Sequence, residues 1–182
     1  MEKEEILNWS EKYDKDYLED TQKEKGIGDR LRASKKLTKA DLIEIIEWKF
    51  EGLEGRKKRI LNLVADIDEQ VLKRVSSLVF SLDTHQDIYR IRLLCMFNGI
   101  GGAVASTILT FYDPDNYGVF DFHVWNEVFG DEKIQYTAKN YIRLLSKLRE
   151  MATRHDLQTR TVEKAFFKKN IDEANSRTER TY

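Results

Sequence analysis

The chain has 182 residues, of which 35 % are charged and 41 % hydrophobic, and its formal net charge is −1. That length suits one domain able to bury its own core. No apolar run approaches the ~20 residues that span a bilayer, the opening MEKEEILNWS lacks the form of a signal peptide, and the lone Cys95 excludes an internal disulfide or a four-cysteine cluster. The expectation is one helical domain over 1–182, cytoplasmic, with a 1–30 extension. His85, His123 and His155 have no metal-ligand spacing, so neither metal nor cofactor is expected.

Charge is unevenly spread. Residues 1–25 carry 5 basic and 9 acidic side chains and residues 75–140 carry 4 and 8, whereas residues 26–74 carry 12 and 9 and residues 141–182 carry 10 and 6. The near-neutral total argues against indiscriminate nucleic-acid binding. The two basic segments can together build a basic face, or simply solvate helix surfaces.

In chain order, EEILNWSEKYDKDYLED places Ile6, Trp9, Tyr13, Tyr17 and Leu18 at near-helical spacing and predicts an amphipathic helix. GIGD at 26–29 is expected to interrupt it, without the spacing or following Lys-Ser/Thr of a phosphate loop. LTKADLIEIIEWKF predicts the next helix, with Thr38 as N-cap, Asp41 as a capping-box-like acid, and Leu42, Ile45, Ile46 and Lys49/Phe50 along one stripe. EGLEG at 51–55 ends it. Further helices are expected from about Arg56, over about 68–82, and over DIYRIRLLCMF. Two more fall at about 137–153 and 160–176, the latter placing Phe166 and Phe167 in the core by period. Only YGVFDF resembles a strand. The fold class expected is all-α, with roughly seven to nine helices.

Between the helix ending near Phe97 and the one starting near Gly102 the connector is only NGIG. Two glycines flanking one apolar residue let helices meet sharply, with Ile100 plugged into the core. The following turn, Gly102, Ala103, Ala105 and Ser106, is free of bulk. Its unpaired amides and the helix dipole suit an oxyanion, such as a nucleic-acid phosphate. A tight αα-hairpin packing closely on a neighbour explains the same residues structurally.

Asp121, in VFDFHVWNEVF, falls at the start of a predicted helix, where an aspartate serves as N-cap. Its flanks, Phe120, Phe122 and Trp125, are unusually apolar for a cap. A carboxylate kept ionised in such a setting stabilises a developing cation, as cleavage of an N-glycosidic bond requires.

GIGGAVASTIL followed by VFDFHVW resembles the helix-hairpin-helix superfamily of DNA base-excision glycosylases, the group of endonuclease III and 8-oxoguanine glycosylase. The resemblance covers 93–128 closely and 37–168 more loosely. It implies a helix-hairpin-helix DNA-glycosylase-like core over 37–170 with its hairpin at 98–102. Duplex DNA, including damaged DNA, would be the partner, Asp121 the catalytic acid, and His123 and Trp125 the usual sequel. Gly99, Ile100, Gly101, Gly102 and Ala103 would grip a backbone phosphate. Family members that nick the strand carry a lysine where this chain has Ala103, so the resemblance implies hydrolysis that leaves an intact abasic site. Asn98 replaces the hairpin proline, and the C-terminal cluster cysteines are missing.

Arg56, Lys57 and Lys58 are candidates for further phosphates, and Trp48, Tyr89 and Trp125 for stacking on an extruded base. Trp48 also reads as core, and GRKKR as a solvated helix start. The alternative to an enzyme is a non-catalytic helix-hairpin-helix module that binds DNA or a protein partner.

Overall fold

The helix that follows the glycine hairpin lies at the centre of the molecule. In the computed structural model, which describes residues 1–179, α7 (Gly102–Tyr112) is buried along nearly its whole length, from Val104 to Phe111. A helix apolar on every side has to be wrapped by others. Around it stand α1 (Lys3–Asp16), α2 (Leu18–Ser34), α3 (Lys39–Lys49), α4 (Glu54–Val64), α5 (Glu69–Ser81), α6 (Asp87–Leu94), α8 (Phe122–Phe129), α9 (Ala138–His155) and α10 (Thr159–Glu179). A short 3-10 turn at Thr84–Gln86 precedes α6. Three quarters of the chain is helical and the described residues contain no strand. No helix among them is long and apolar enough to cross a membrane. The last three residues of the expected 1–182 domain lie outside the description.

Local signals set most boundaries. Thr38 and Asp41 form the expected capping box at α3, Asp68 caps α5 through the Val71 amide, and Thr137 caps α9 through Asn140. Of YGVFDF, residues 117–121 form no strand and Phe122 opens α8.

Two expectations fail at the N-terminus. GIGD does not interrupt a helix; Gly26 to Asp29 lie inside α2, and the break comes earlier, at Tyr17 (φ −121°, ψ 44°). Gly28 is there for packing: a β carbon on it would collide with the carbonyl oxygen of Phe111, so its absence lets α2 lie against α7. Because α1 and α2 are separate, the described residues form ten α-helices rather than seven to nine. The extension is also part of the core. Ile6, Ile27 and Leu31 are fully buried, α1 packing chiefly on α10 and α2 on α7.

Much of the charge of the basic C-terminal segment is paired within the fold. Arg160 is buried between Glu24 and Glu163, while Lys164, Lys168 and Lys169 pair with Asp14, Asp16 and Glu127. Folding spends those charges on the acidic N-terminal helices and on α8. Arg56, Lys58 and Arg59 on α4 remain exposed.

Candidate functional site

The hairpin is held by its own steric limits. Gly99 adopts φ +89°, a region L side chains avoid, and a β carbon on it would lie 2.8 Å from Val64 Cγ1. Ile100, 2 % exposed, plugs into the core as expected, and its amide donates to the Phe97 carbonyl at 3.1 Å. Gly101 is the N-cap of α7 and has no side chain to cap with, so the first-turn amides of Gly102, Ala103 and Val104 keep no capping oxygen. Gly102 is buried beneath the Tyr136 carbonyl; Ala103 is half-buried.

The first turn of α7 also positions the acid. Ser106 Oγ donates to the Ala103 carbonyl at 2.8 Å and accepts the Phe120 amide at 2.9 Å, tying the segment before α8 to the hairpin helix. Upstream, the Tyr141 hydroxyl donates to the Gly118 carbonyl at 3.0 Å, and Arg149 Nε donates to the Asn116 carbonyl at 2.7 Å. Tyr117 is fully buried, bonded to Arg90 at 2.6 Å and to Asp87. A loop anchored at so many points delivers Asp121 to one place.

Asp121 caps α8, its Oδ1 accepting the His123 amide at 2.9 Å. Its other oxygen meets Lys49 Nζ at 2.8 Å. Lys49 is the last residue of α3 and Asp121 the N-cap of α8, so each charge sits at the helix end whose dipole favours it. Both side chains are largely covered, 9 % and 20 % exposed. Burial pushes the Asp121 carboxyl up, but the Lys49 ammonium, the His123 amide and the His123 ring together hold it below the usual carboxylate range. The acid is therefore ionised at neutral pH, in a setting where its field is little screened.

Lys49 is the residue that sequence reasoning passed over. Its signal was a lysine on the apolar stripe of α3, one turn after Ile45 and Ile46. Ala103 leaves the hairpin without an amine, and Lys49 brings one to the acid from a different helix.

The ion pair stands between two cavities and borders both. The smaller, about 290 Å³, lies against the hairpin and is lined by Phe50, Leu53, Arg56, Gly101, Ala103 and Tyr136. Burial and the charge of Asp121 push the Tyr136 phenol up to about 12. The larger, about 710 Å³, is walled by Tyr13, Tyr17, Trp48 and Phe167 from α1, the α1–α2 junction, α3 and α10. It lies within the size range of small-molecule sites.

The other candidates are scattered. Arg56 is exposed, borders the hairpin cavity and sits 6.0 Å over the Phe50 ring. Lys57 pairs with Glu54 at 2.6 Å, and Lys58 is exposed on α4. Trp48 is half-buried on the wall of the larger cavity, its Nε1 donating to the Asp20 carbonyl at 3.1 Å. Trp125 is corrected to a core residue: it is 0 % exposed, its Nε1 bonded to the Glu132 carbonyl, so no ring face is open to a base. Tyr89 is exposed on α6 and borders neither cavity beside Asp121. Of the expected core pair on α10, Phe166 is buried whereas Phe167 faces the larger cavity. His123 Nδ1 lies 3.0 Å from Asn170 Oδ1, and its ring packs edge-on against Phe167. Among the described residues no cluster of His, Cys, Asp and Glu is arranged to hold a metal ion.

No protein-family model matches the chain, and no curated protein or solved structure matches it either.

Proposed function

We propose that the chain is a helix-hairpin-helix, glycosylase-like DNA repair protein that hydrolyses the N-glycosidic bond of a damaged or mispaired base turned out of a duplex. The observation that carries this reading is the ionised Asp121, paired with Lys49, between a hairpin cavity and a cavity large enough for a base. The all-helical architecture around α7 is consistent with it. A backbone phosphate would lie against the α7 amides, with Arg56 beside it. The sugar would then face Asp121, whose charge stabilises the oxocarbenium ion as the base departs and helps orient the attacking water. Leu53, half exposed beside the hairpin cavity, is apolar and placed to fill the gap a displaced base leaves.

The test is base release from duplexes carrying single lesions or mismatches, preceded by binding to a duplex with an abasic-site analogue against the same duplex intact. Preference for the abasic duplex is expected. Asp121→Asn should cut base release by about a thousandfold, the scale of a lost electrostatic stabiliser, while abasic-duplex affinity holds. Wild-type release by that variant removes the catalytic assignment; no abasic preference and no release turns the reading to a protein-binding module.

A second reading is favoured by Lys49 Nζ. Once deprotonated, its lone pair can attack C1′ of the abasic aldehyde; water leaves and a Schiff base forms. Loss of a C2′ proton then breaks the C3′–O bond, and the 3′ phosphate departs. Borohydride separates the readings. A trapped covalent adduct absent in Lys49→Gln supports strand cleavage, and intact abasic product without adduct supports hydrolysis.

A further inference from the structure

The mouth of the larger cavity is built from two stretches of chain that the fold anchors separately. One is the corner between α1 and α2, where the helix breaks at Tyr17 and where Leu18, Glu19 and Asp20 line the cavity. Because α1 packs chiefly on α10 and α2 on α7, this corner joins helices held by different neighbours. The other is the turn after α3, where Glu51 and Gly52 line the same cavity. Gly52 adopts φ +74°, and a β carbon on it would touch nothing, so no packed side chain holds the turn there.

Two bonds tie these lips together. Trp48 Nε1 donates to the Asp20 backbone carbonyl at 3.1 Å. The side chains of Asp20 and Glu51 share a second hydrogen bond, and two carboxyl groups can do so only with a proton between them. Burial, that bond and the Glu51 charge push Asp20 up to about 6. The surroundings offer the pair little relief. On α2, Lys23 stands 4.0 Å from Asp20, too far for a hydrogen bond, and Glu19 is exposed. On α1, Lys15 is exposed and Asp16 is answered by Lys168 of α10 at 2.7 Å; the phenols of Tyr13 and Tyr17 complete that wall. Lys49 of α3 is committed to Asp121, and Arg160 of α10 lies buried on Glu24 and Glu163. Glu51 also stands just past the C-terminus of α3, where the helix dipole opposes a negative charge.

We propose that Asp20 and Glu51 form a proton-operated latch across the mouth of this cavity, closed while the two side chains share a proton and open once both are ionised. With the proton in place, two bonds hold the α1–α2 corner against the α3 turn. Without it, the indole bond stands alone against two like charges at hydrogen-bond distance. The corner then swings away at the Tyr17 break and the Gly52 turn, and Trp48 loses its carbonyl partner. Acid shuts the larger cavity and neutral pH opens it. The latch governs entry to the space beside Asp121 whatever ligand enters there, so it stands independently of the base-removal reading.

The experiment follows the indole N–H resonances of the full chain, isotope-labelled, as they exchange with water. Trp48→Phe assigns the Trp48 signal, and the buried Trp125 N–H, held by the Glu132 carbonyl, is the internal control. Asp20→Asn makes a latch that stays closed, because its amide donates to the Glu51 carboxylate without a titrating proton, and Asp20→Ala makes one that stays open. At about pH 7.5 the Trp48 N–H of the unaltered chain should exchange about tenfold faster than that of Asp20→Asn, and at about pH 5 the two should match. Glu51→Gln should behave as Asp20→Asn does, its new amide donating to Asp20, and Asp20→Ala should exchange faster than either at both pH values. Equal rates in the unaltered chain and Asp20→Asn across that range overturn the latch, as do slow exchange in Asp20→Ala and fast exchange in Glu51→Gln. A Trp125 signal that loosens in step with Trp48 also overturns it, since the opening is then global and not at the mouth.

Discussion

The two cavities that meet at Asp121 are opposites. The hairpin side is small, lined by the hairpin glycines and Ala103 together with Phe50, Leu53 and Tyr136, and the charge on its wall besides the ion pair is the Arg56 cation. The α1–α10 side is more than twice as large, aromatic and acidic. One ion pair of no net charge divides a cavity bordered by Arg56 from one whose charged lining is mostly acidic. The contrast also shows why a whole-chain charge of −1 says little about ligands. Folding neutralised the C-terminal cations against the N-terminal acids and left the residual charges sorted by cavity.

Of the changes that leave Asp121 in place, removing its ammonium should have the largest effect. Lys49→Gln leaves the Asp121 carboxylate without its ammonium, so base release should fall by about a hundredfold. The acid limb of the pH–rate profile should also move upward. In the intact protein Asp121 titrates below its ordinary value, so the stability it contributes is present above about pH 4 and lost as pH falls further. An unmoved acid limb in Lys49→Gln would show that the two charges do not act together.

Next comes the hairpin side. Gly99→Ala places a side chain at φ +89° and against Val64, which should cost about 1–3 kcal/mol and lower the melting temperature by several degrees. Abasic-duplex binding should weaken with it, and full binding would place the DNA elsewhere. Arg56→Ala should act more gently. Because Arg56 is exposed, stability should change by no more than about 0.5 kcal/mol. Duplex affinity should fall regardless of sequence, and the salt slope should drop by about one. A slope left intact would mean the hairpin side meets no phosphate there.

The smallest effect belongs to the acidic side. Asp20 titrates upward, to about 6, so its favourable contribution is complete below its ordinary value and fades as pH rises through about 6. Asp20→Asn should therefore raise the melting temperature slightly at neutral pH and flatten its dependence between about pH 4 and 6. A melting curve that keeps that dependence would show the carboxylates are not pressed together.

What was legible in the sequence was local. The capping box of Thr38 and Asp41, the hairpin around Gly99 and the cap role of Asp121 each depend on residues within one turn of one another. The all-helical class follows from the same short-range periodicity. The failures are long-range. GIGD looked like a break because glycine disfavours a helix locally, yet the Phe111 carbonyl across the core demands that nothing larger stand at Gly28. Trp125 looked available because an aromatic beside a candidate acid suggests stacking, and burial decided otherwise.

By itself, then, the sequence determined where most helices after α2 begin, where the glycine hairpin turns, and which acid is held at a helix start, because those depend on dihedral preferences and hydrogen bonds between near neighbours. Only the tertiary structure decided that Lys49 meets Asp121 across 72 residues, that α1 and α2 wall the larger cavity, and that its excess charge is acidic. Partners so distant in the chain are chosen by how helices pack, and packing distributes charge in ways that counting residues along the chain does not reveal.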